Sequence, residues 1–300
     1  MDRRCFLAAA GATTLATATT AARTSAPRSN AFGMKFAPHF GMFQTLAGGG
    51  PIKQLEFAAK QGFSAWEDNG MSSRPINEQK DIAAAMVDLG MAMGVFVLNP
   101  SSAWGPTFSR GDAGDRQKFL DEAKAAVDVA ERVNATWATV VLGTREPRLD
   151  LGYQTAYAVD QLRAACEILE PAGLVMVLEP LNPRDHPNML LAEMGHAFEI
   201  CRAVNSPSCK ILCDLYHQQI AEGNLLPNVD RSWSEIAYFQ IGDNPGRREP
   251  TTGEINYANV FRHIKERGFT GILGMEHGKS KGGAEGERAV IDAYRACDPA

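Results

Sequence analysis

The chain has 300 residues, 45% of them hydrophobic and 22% charged, and its 30 basic and 35 acidic side chains leave a formal net charge of −5. That balance is the composition of a globular protein with a sizeable core. Its mild acidity excludes a general attraction to nucleic acid or to anionic lipid, so the expected partner is a small-molecule substrate.

Residues 1–30 read as an export signal and spacer. Arg3 and Arg4 precede Cys5, Phe6, Leu7 and an uncharged, Ala- and Thr-rich run, which resembles the twin-arginine signal of bacterial proteins exported already folded. Ala16-Thr17-Ala18 offers an A-x-A cleavage site. The run is too short and too weakly apolar to span a bilayer. The expectation is therefore a periplasmic protein that meets the twin-arginine export machinery and keeps no stable membrane anchor after processing; the competing reading is a disordered basic tail. Past Cys5 the chain holds Cys166, Cys201, Cys209, Cys213 and Cys297, with no C-x-x-C pair. A protein folded before export cannot depend on disulfides to fold, so these thiols are expected as small buried groups, with a Cys201–Cys209 pair as the one candidate bridge.

From Met34 to residue 297 short β-rich runs alternate with longer amphipathic stretches. The strands expected in order are MKFAPHF (34–40), FSAWE (63–67), MGVFVL (93–98), WATVVL (137–142), LVMVLE (174–179), KILCD (210–214), YFQI (238–241) and ILGMEH (272–277). Several are almost continuous in Val, Ile, Leu and Met, as parallel strands buried on both faces require. Helical patterns such as IKQLEFAAKQGF and DAGDRQKFLDEAKAAVDVAERVN lie between them, and Gly62, Gly90 and Gly173 sit where left-handed helix ends are expected. Repeated βα units with no G-x-G-x-x-G or Walker-type loop point to a single-domain (β/α)8 TIM barrel over a doubly wound sheet.

In such a barrel the chemistry sits at the C-terminal ends of the strands. Glu179 ends the fifth, Asp214 the sixth, Gln240 lies in the seventh and Glu276 near the end of the eighth. Three carboxylates and an amide oxygen from consecutive strands form a hard donor set suited to a divalent metal, Mg²⁺ or Mn²⁺. A cation is also what keeps such crowded carboxylates ionised.

The stretches LEPLN (178–182), DLYHQQ (214–219), FQIGDNPGRREPTTGEINY (239–257) and GMEHG (274–278) resemble the signature segments of the hydroxypyruvate isomerase family, one of the xylose-isomerase-like barrels. The resemblance runs over the chain after the signal. It implies a divalent metal held by Glu179, Asp214, Gln240 and Glu276, with Glu179 and Glu276 also acting as acid and base.

A loop that follows a barrel strand is where a small polar substrate is gripped, and 241–256 is crowded with charge, Pro and Gly for that purpose. Arg247 offers a planar fork of donors to a substrate oxyanion, with a solvated loop charge as its bland alternative. Glu254 and Asn256 are expected to lock the loop; Asp243 has no single assignment. His217, three residues after Asp214, is expected to donate a hydrogen bond to a substrate oxygen. His39, Glu67, Asn99 and Asn182 should line the pocket from other strand ends. Trp66 and Trp104 are candidates for an apolar wall or for core packing, and His186 for a substrate contact or, the favoured reading, a solvent-facing loop residue. Past Glu276 the chain departs from the family with His277, Gly278 and Lys279 in place of an aromatic residue and a later Pro, which places an alteration on the far side of the pocket.

The chemistry implied is proton transfer between adjacent carbons of a hydroxy-carbonyl compound of the hydroxypyruvate or tartronate semialdehyde type. A ketose 3-epimerase, or an enzyme of oxidised sugars with the same site, is the alternative reading. A periplasmic barrel that binds sugar or metal without turnover is the non-enzymatic one. With six histidines and an acidic balance, a multi-metal DNA-repair site is disfavoured. The oligomeric state stays open, a homo-oligomer included.

Overall fold

In the computed structural model residues 30–299 are described, so the expected export signal lies outside the described residues apart from Asn30. The elements run β1 (Lys35–Ala37), α1 (Gln44–Ala47), α2 (Pro51–Lys60), β2 (Ala65–Trp66), α3 (Ile76–Asp88), β3 (Ala92–Met93), α4 (Ala113–Val133), β4 (Trp137–Val140), α5 (Leu151–Leu169), β5 (Val175–Leu178), α6 (Met194–Val204), β6 (Cys209–Asp214), α7 (Leu215–Ala221), α8 (Leu225–Ser232), β7 (Ile236–Gln240), α9 (Tyr257–Glu266), β8 (Ile272–Gly274) and α10 (Gly283–Cys297). Six strands pair in the order β1-β8-β7-β6-β5-β4, and β2 pairs with β3. Every strand pair is parallel. Single bridges, His39 with Glu67 and both Met93 with Ala135 and Val97 with Thr139, join the short pair to β1 and β4 and close the ring. The expected (β/α)8 barrel is therefore present.

The third strand is shorter than the apolar run MGVFVL suggests. Regular pairing stops at Met93 and returns only as the bridge at Val97. Between them the Tyr238 hydroxyl occupies the space that a Cβ on residue 94 would need, so only Gly fits there.

Side chains alternate between the two faces of each strand, and this decides what reaches the centre. Phe36, Met176, Leu178, Ile211, Cys213 and Leu273 face outward and join the large core shared with the helices. Ala37, Ala65, Val95, Val177, Leu212, Tyr238 and Ile272 face inward and fill the barrel. Two positions further along the same inward faces come His39, Glu67, Glu179, Asp214 and Gln240; on β8, Gly274 comes at two and Glu276 at four. A polar layer thus lies directly above an apolar floor.

Local signals set the helix limits. The Asp112 carboxylate accepts from Asp115 N to start α4, and Asn134, at φ 53°, ends it in the left-handed region. Gly62, Gly90 and Gly173 have φ of 92°, 64° and 67°, as expected. All five cysteines among the described residues are buried and free, so the Cys201–Cys209 bridge is not formed. Among the described residues no helix is long and apolar enough to cross a membrane.

The two ends of the described chain meet. Gly33 N donates to Asp298 Oδ2 at 2.6 Å and Asn30 Nδ2 to Lys60 O at 2.6 Å, while Arg295 bonds the Asn30 and Gln61 carbonyls. This junction sits where α2 and α10 end, at the face away from the strand C-termini.

Phe36 is the aromatic hub of that junction, 1% exposed and packed against Phe32, Phe261 and Tyr294 at centroid distances of 5.5, 5.0 and 4.8 Å. Phe36→Ala is expected to lower stability by about 3–5 kcal/mol. Urea unfolding followed by circular dichroism measures it, and a loss below about 1 kcal/mol would contradict the packing.

Candidate active site

Asp214 is both the last residue of β6 and the N-cap of α7. Its Oδ1 accepts from Tyr216 N at 2.8 Å and His217 N at 3.3 Å, which pins the carboxylate and leaves Oδ2 for the barrel mouth. There Arg247 Nη2 donates to Asp214 Oδ2 at 2.8 Å and to Glu276 Oε2 at 2.6 Å. The other oxygen of Glu276 accepts from Asn69 Nδ2 at 2.7 Å. Glu179 projects from the end of β5 with its Oε1 3.6 Å from His217 Nε2.

One guanidinium among these carboxylates does not balance them. Loss of water and the neighbouring Glu276 and Asp214 charges hold the Glu179 carboxyl well above the usual range. Loss of water, with Asp214 as its repelling neighbour, pushes Glu276 to about 7 against the pull of Arg247. Added positive charge is what this cluster lacks.

Glu179, Asp214 and His217 each bring one potential ligand atom within 4.8 Å of the others, a cluster able to hold a metal ion. The hydrogen-bond network assigns the histidine a different part. Asn182 Nδ2 and Asn182 N both approach His217 Nδ1, at 2.7 and 3.3 Å. The amide cannot be reversed, because Asn182 Oδ1 already accepts from Arg184 N and Asp185 N. Nδ1 is therefore the acceptor, and the proton sits on Nε2, which is buried without a hydrogen-bond partner among the described residues and aimed between Glu179 and Asp214. Burial lowers the ring to about 4, so it is a neutral donor. Asn182→Ala removes the shorter of these two contacts and leaves only the backbone N–H at 3.3 Å, so it should loosen the tautomer and slow turnover about 10- to 100-fold; imidazole ¹⁵N shifts of His217 would show a mixture in the variant and Nε2–H alone in the parent.

Glu67 belongs to the same polar layer but does not line the cavity. It is 1% exposed and receives Tyr238 Oη and Gln240 Nε2, each at 2.9 Å, on separate oxygens. Gln240 Oε1, the other limb of the same amide, is buried without a hydrogen-bond partner among the described residues. Glu179, Asp214, Gln240 and Glu276 thus present hard oxygens, one of them orphaned, and this donor set fits a divalent cation.

A cavity of about 300 Å³ opens above the cluster, lined on its polar side by Asn69, Thr139, Glu179, His186, His217, Arg247 and Glu276. Val97, Pro100, Ala103, Trp104, Val141 and Leu181 form its apolar wall. A larger cavity of about 560 Å³ between the starts of α5 and α6 contains none of these carboxylates, so size alone would select the wrong place.

Several expected pocket residues lie elsewhere. Glu67 is beneath the cavity, tied to Gln240. His39 turns to backbone, with its ring nitrogens at Phe40 O and His277 O. Asn99, fully buried, clamps Ser102 and both backbone groups of Val141. Asn182 acts on His217. Trp66 is a core side chain at 0% exposure, whereas Trp104 is 59% exposed. His186 is at the site after all, stacked on Trp104 at 5.7 Å and edge-on to His217 at 5.4 Å. Asn69 and Thr139 escaped the sequence reading, although Asn69 follows a strand end by two residues and Thr139 lies on an inward face.

The loop 241–256 is locked as expected, with Asp243 as its anchor. Asp243 accepts from Gly253 N at 2.8 Å and Ile255 N at 3.1 Å, and Glu254 accepts from Asn244 Nδ2 at 2.7 Å. Asn256 caps α9. The fold of this loop forces Arg247 to φ 50° and aims its guanidinium at the carboxylates, 5.0 Å over the Tyr216 ring. The segment after Glu276 does not line the cavity. His277 points into the helix layer, with Nε2 2.9 Å from Tyr294 Oη, and Lys279 reaches Gly41 O, Met42 O and Glu287.

Residues 55–297 match the xylose isomerase-like TIM barrel family. The chain belongs to that family. It is 30% identical over 182 residues to the hydroxypyruvate isomerase of Escherichia coli strain K12, covering 61% of this chain and 70% of that one. It is 30% identical over 184 residues to the 2-oxo-tetronate isomerase of Pectobacterium atrosepticum, covering 60% and 69%. Relatives of this kind identify the chain as an isomerase. Among solved structures, an AP endonuclease of family 2 from Brucella melitensis superposes with a TM-score of 0.72 at 22% identity, covering 84% of this chain and 96% of that one, a likeness of fold.

Proposed function

We propose that this isomerase acts, with a divalent metal, on a small hydroxy-carbonyl compound of the hydroxypyruvate or tartronate semialdehyde type, by proton transfer through an enediolate. The observation that carries the reading is that Glu179 and Glu276 reach one cavity from separate strands around one cluster of hard oxygens. Glu179, Asp214, Gln240 and Glu276 would hold Mg²⁺ or Mn²⁺, which when bound polarises the carbonyl and hydroxyl oxygens of a substrate and acidifies the C–H between them.

One glutamate removes that C–H proton, and the electron pair moves to the carbonyl oxygen. The other returns a proton to the adjacent carbon, while the hydroxyl proton passes to the former carbonyl oxygen. His217 Nε2–H, a fixed neutral donor, stabilises the oxygen that gains charge. Arg247 Nη2 is engaged by Asp214 and Glu276, and its Nη1 is left to meet a substrate oxyanion. A second reading, ketose epimerisation by the same glutamates, is favoured by the cavity volume of about 300 Å³, which exceeds what a three-carbon acid fills.

The two relatives at 30% identity act on hydroxypyruvate and 2-oxo-tetronate by their names, which supports the first reading. Deuterium uptake from D₂O decides between them. With Mn²⁺ or Mg²⁺ present, exchange beside the carbonyl of hydroxypyruvate but of no ketose is expected; exchange in ketoses alone would transfer the function to epimerisation, and none in any compound would remove both. The reading includes twin-arginine export to the periplasm, which cell fractionation tests through Arg3→Lys/Arg4→Lys: the doubly substituted protein should stay in the cytoplasm.

A further inference from the structure

We propose that Glu67 is a positioning residue whose task is to fix the orientation of the Gln240 amide, so that Gln240 presents oxygen, and not nitrogen, to the cation. The proposal rests on the cation reading above and concerns a residue outside the cavity.

A glutamine is an ambiguous ligand. Its amide carries an acceptor on one limb and two donors on the other, and a half-turn about the last side-chain bond exchanges them. Among the four oxygen-bearing residues, Gln240 alone has this problem, since either oxygen of a carboxylate serves. The strand below resolves it. Glu67 Oε1 accepts from Gln240 Nε2 at 2.9 Å, and Glu67 Oε2 from Tyr238 Oη at 2.9 Å. Each carboxylate oxygen therefore has its own donor, and a reversed amide would set Gln240 Oε1 against Glu67 Oε1, acceptor on acceptor. The remaining amide limb, Oε1, is buried and has no hydrogen-bond partner among the described residues.

Glu67 itself is held from every side. Its backbone N donates to Pro38 O at 2.9 Å, and it bridges His39 across the β1–β2 junction. On β8 a side chain at 274 would overlap its carboxylate, so Gly274 is what lets an acid from β2 reach a glutamine on β7. The side chain crosses the barrel interior, at 1% exposure, to reach one amide and one phenol. Nothing in the apolar floor requires an acid there. What an ionised carboxylate supplies is acceptor-only chemistry facing Gln240 Nε2; burial and the Glu276 charge raise its pKa, and the hydrogen bonds from Gln240 and Tyr238 oppose that rise.

The test is a double-mutant cycle on Mn²⁺ affinity, read by calorimetry and Mn²⁺ electron paramagnetic resonance on the full chain. Glu67→Gln is expected to weaken Mn²⁺ binding roughly tenfold or more, because a glutamine there accepts either amide orientation. In a Gln240→Ala background the same change should cost less than about threefold. Glu67→Asp keeps the charge but withdraws it from Nε2, and should also weaken binding roughly tenfold; it serves too if Glu67→Gln does not fold. Equal losses in both backgrounds, or wild-type affinity in Glu67→Asp, would make Glu67 a source of charge only and overturn the proposal. A parent protein that takes up no Mn²⁺ would instead remove the cation reading itself.

Discussion

Glu179→Gln and Glu276→Gln will each lower solvent deuterium exchange at the substrate carbon by about 10²- to 10⁴-fold, the size of one general acid–base contribution. Amides match the carboxylates in shape, so both variants should fold. The two glutamates differ in their surroundings. Glu276 is held by Asn69 and Arg247, whereas Glu179 has His217 Nε2 3.6 Å from its Oε1. Loss of exchange in both, measured by proton NMR in D₂O, is the outcome expected of a two-carboxylate transfer. Full exchange in either one would assign that glutamate a binding role and require another base.

Arg247→Met will destabilise the protein more in chelator than in Mn²⁺. Asp214 is fully buried, and Arg247 is the cation on its Oδ2. Removing one partner of a buried pair leaves an uncompensated charge, at a cost of about 3–5 kcal/mol. The lower end is expected here, because Arg247 is 28% exposed. Divalent metal bound to the same carboxylates restores the balance and adds about 2.7 kcal/mol at a hundredfold excess over its dissociation constant. Thermal midpoints of parent and variant, each in chelator and in excess Mn²⁺, test this. An equal gap in both conditions would show that guanidinium and metal do not share these oxygens.

Much of the barrel could be read from the sequence because buried parallel strands leave a dense apolar signature, and the rule that chemistry gathers at strand ends selected Glu179, Asp214, Gln240 and Glu276. The same rule overreached at His39, Glu67 and Asn99. It places a residue on an inward face but carries no information on which neighbour claims its polar atoms. His39 is claimed by backbone carbonyls, Asn99 by Val141 and Glu67 by Gln240. Asn69 was missed because it lies in a loop, past the strand end, and reaches Glu276 only through the three-dimensional closure of the ring. The short third strand was hidden for a similar reason: Gly94 yields to a tyrosine hydroxyl 144 positions later in the chain, and no local pattern reports that.

The meeting of Asn30, Gly33, Lys60 and Asp298 at the face away from the strand C-termini also has a practical side. A purification tag, a fluorescent protein or a surface tether joined ahead of Asn30 or after Pro299 attaches at the closed end of the molecule, with the full height of the barrel between it and the opening. Immobilised in that way, the protein presents its opening to the bulk solution, so the exchange and metal-binding experiments can be run on a support without a tether crossing the path of the substrate.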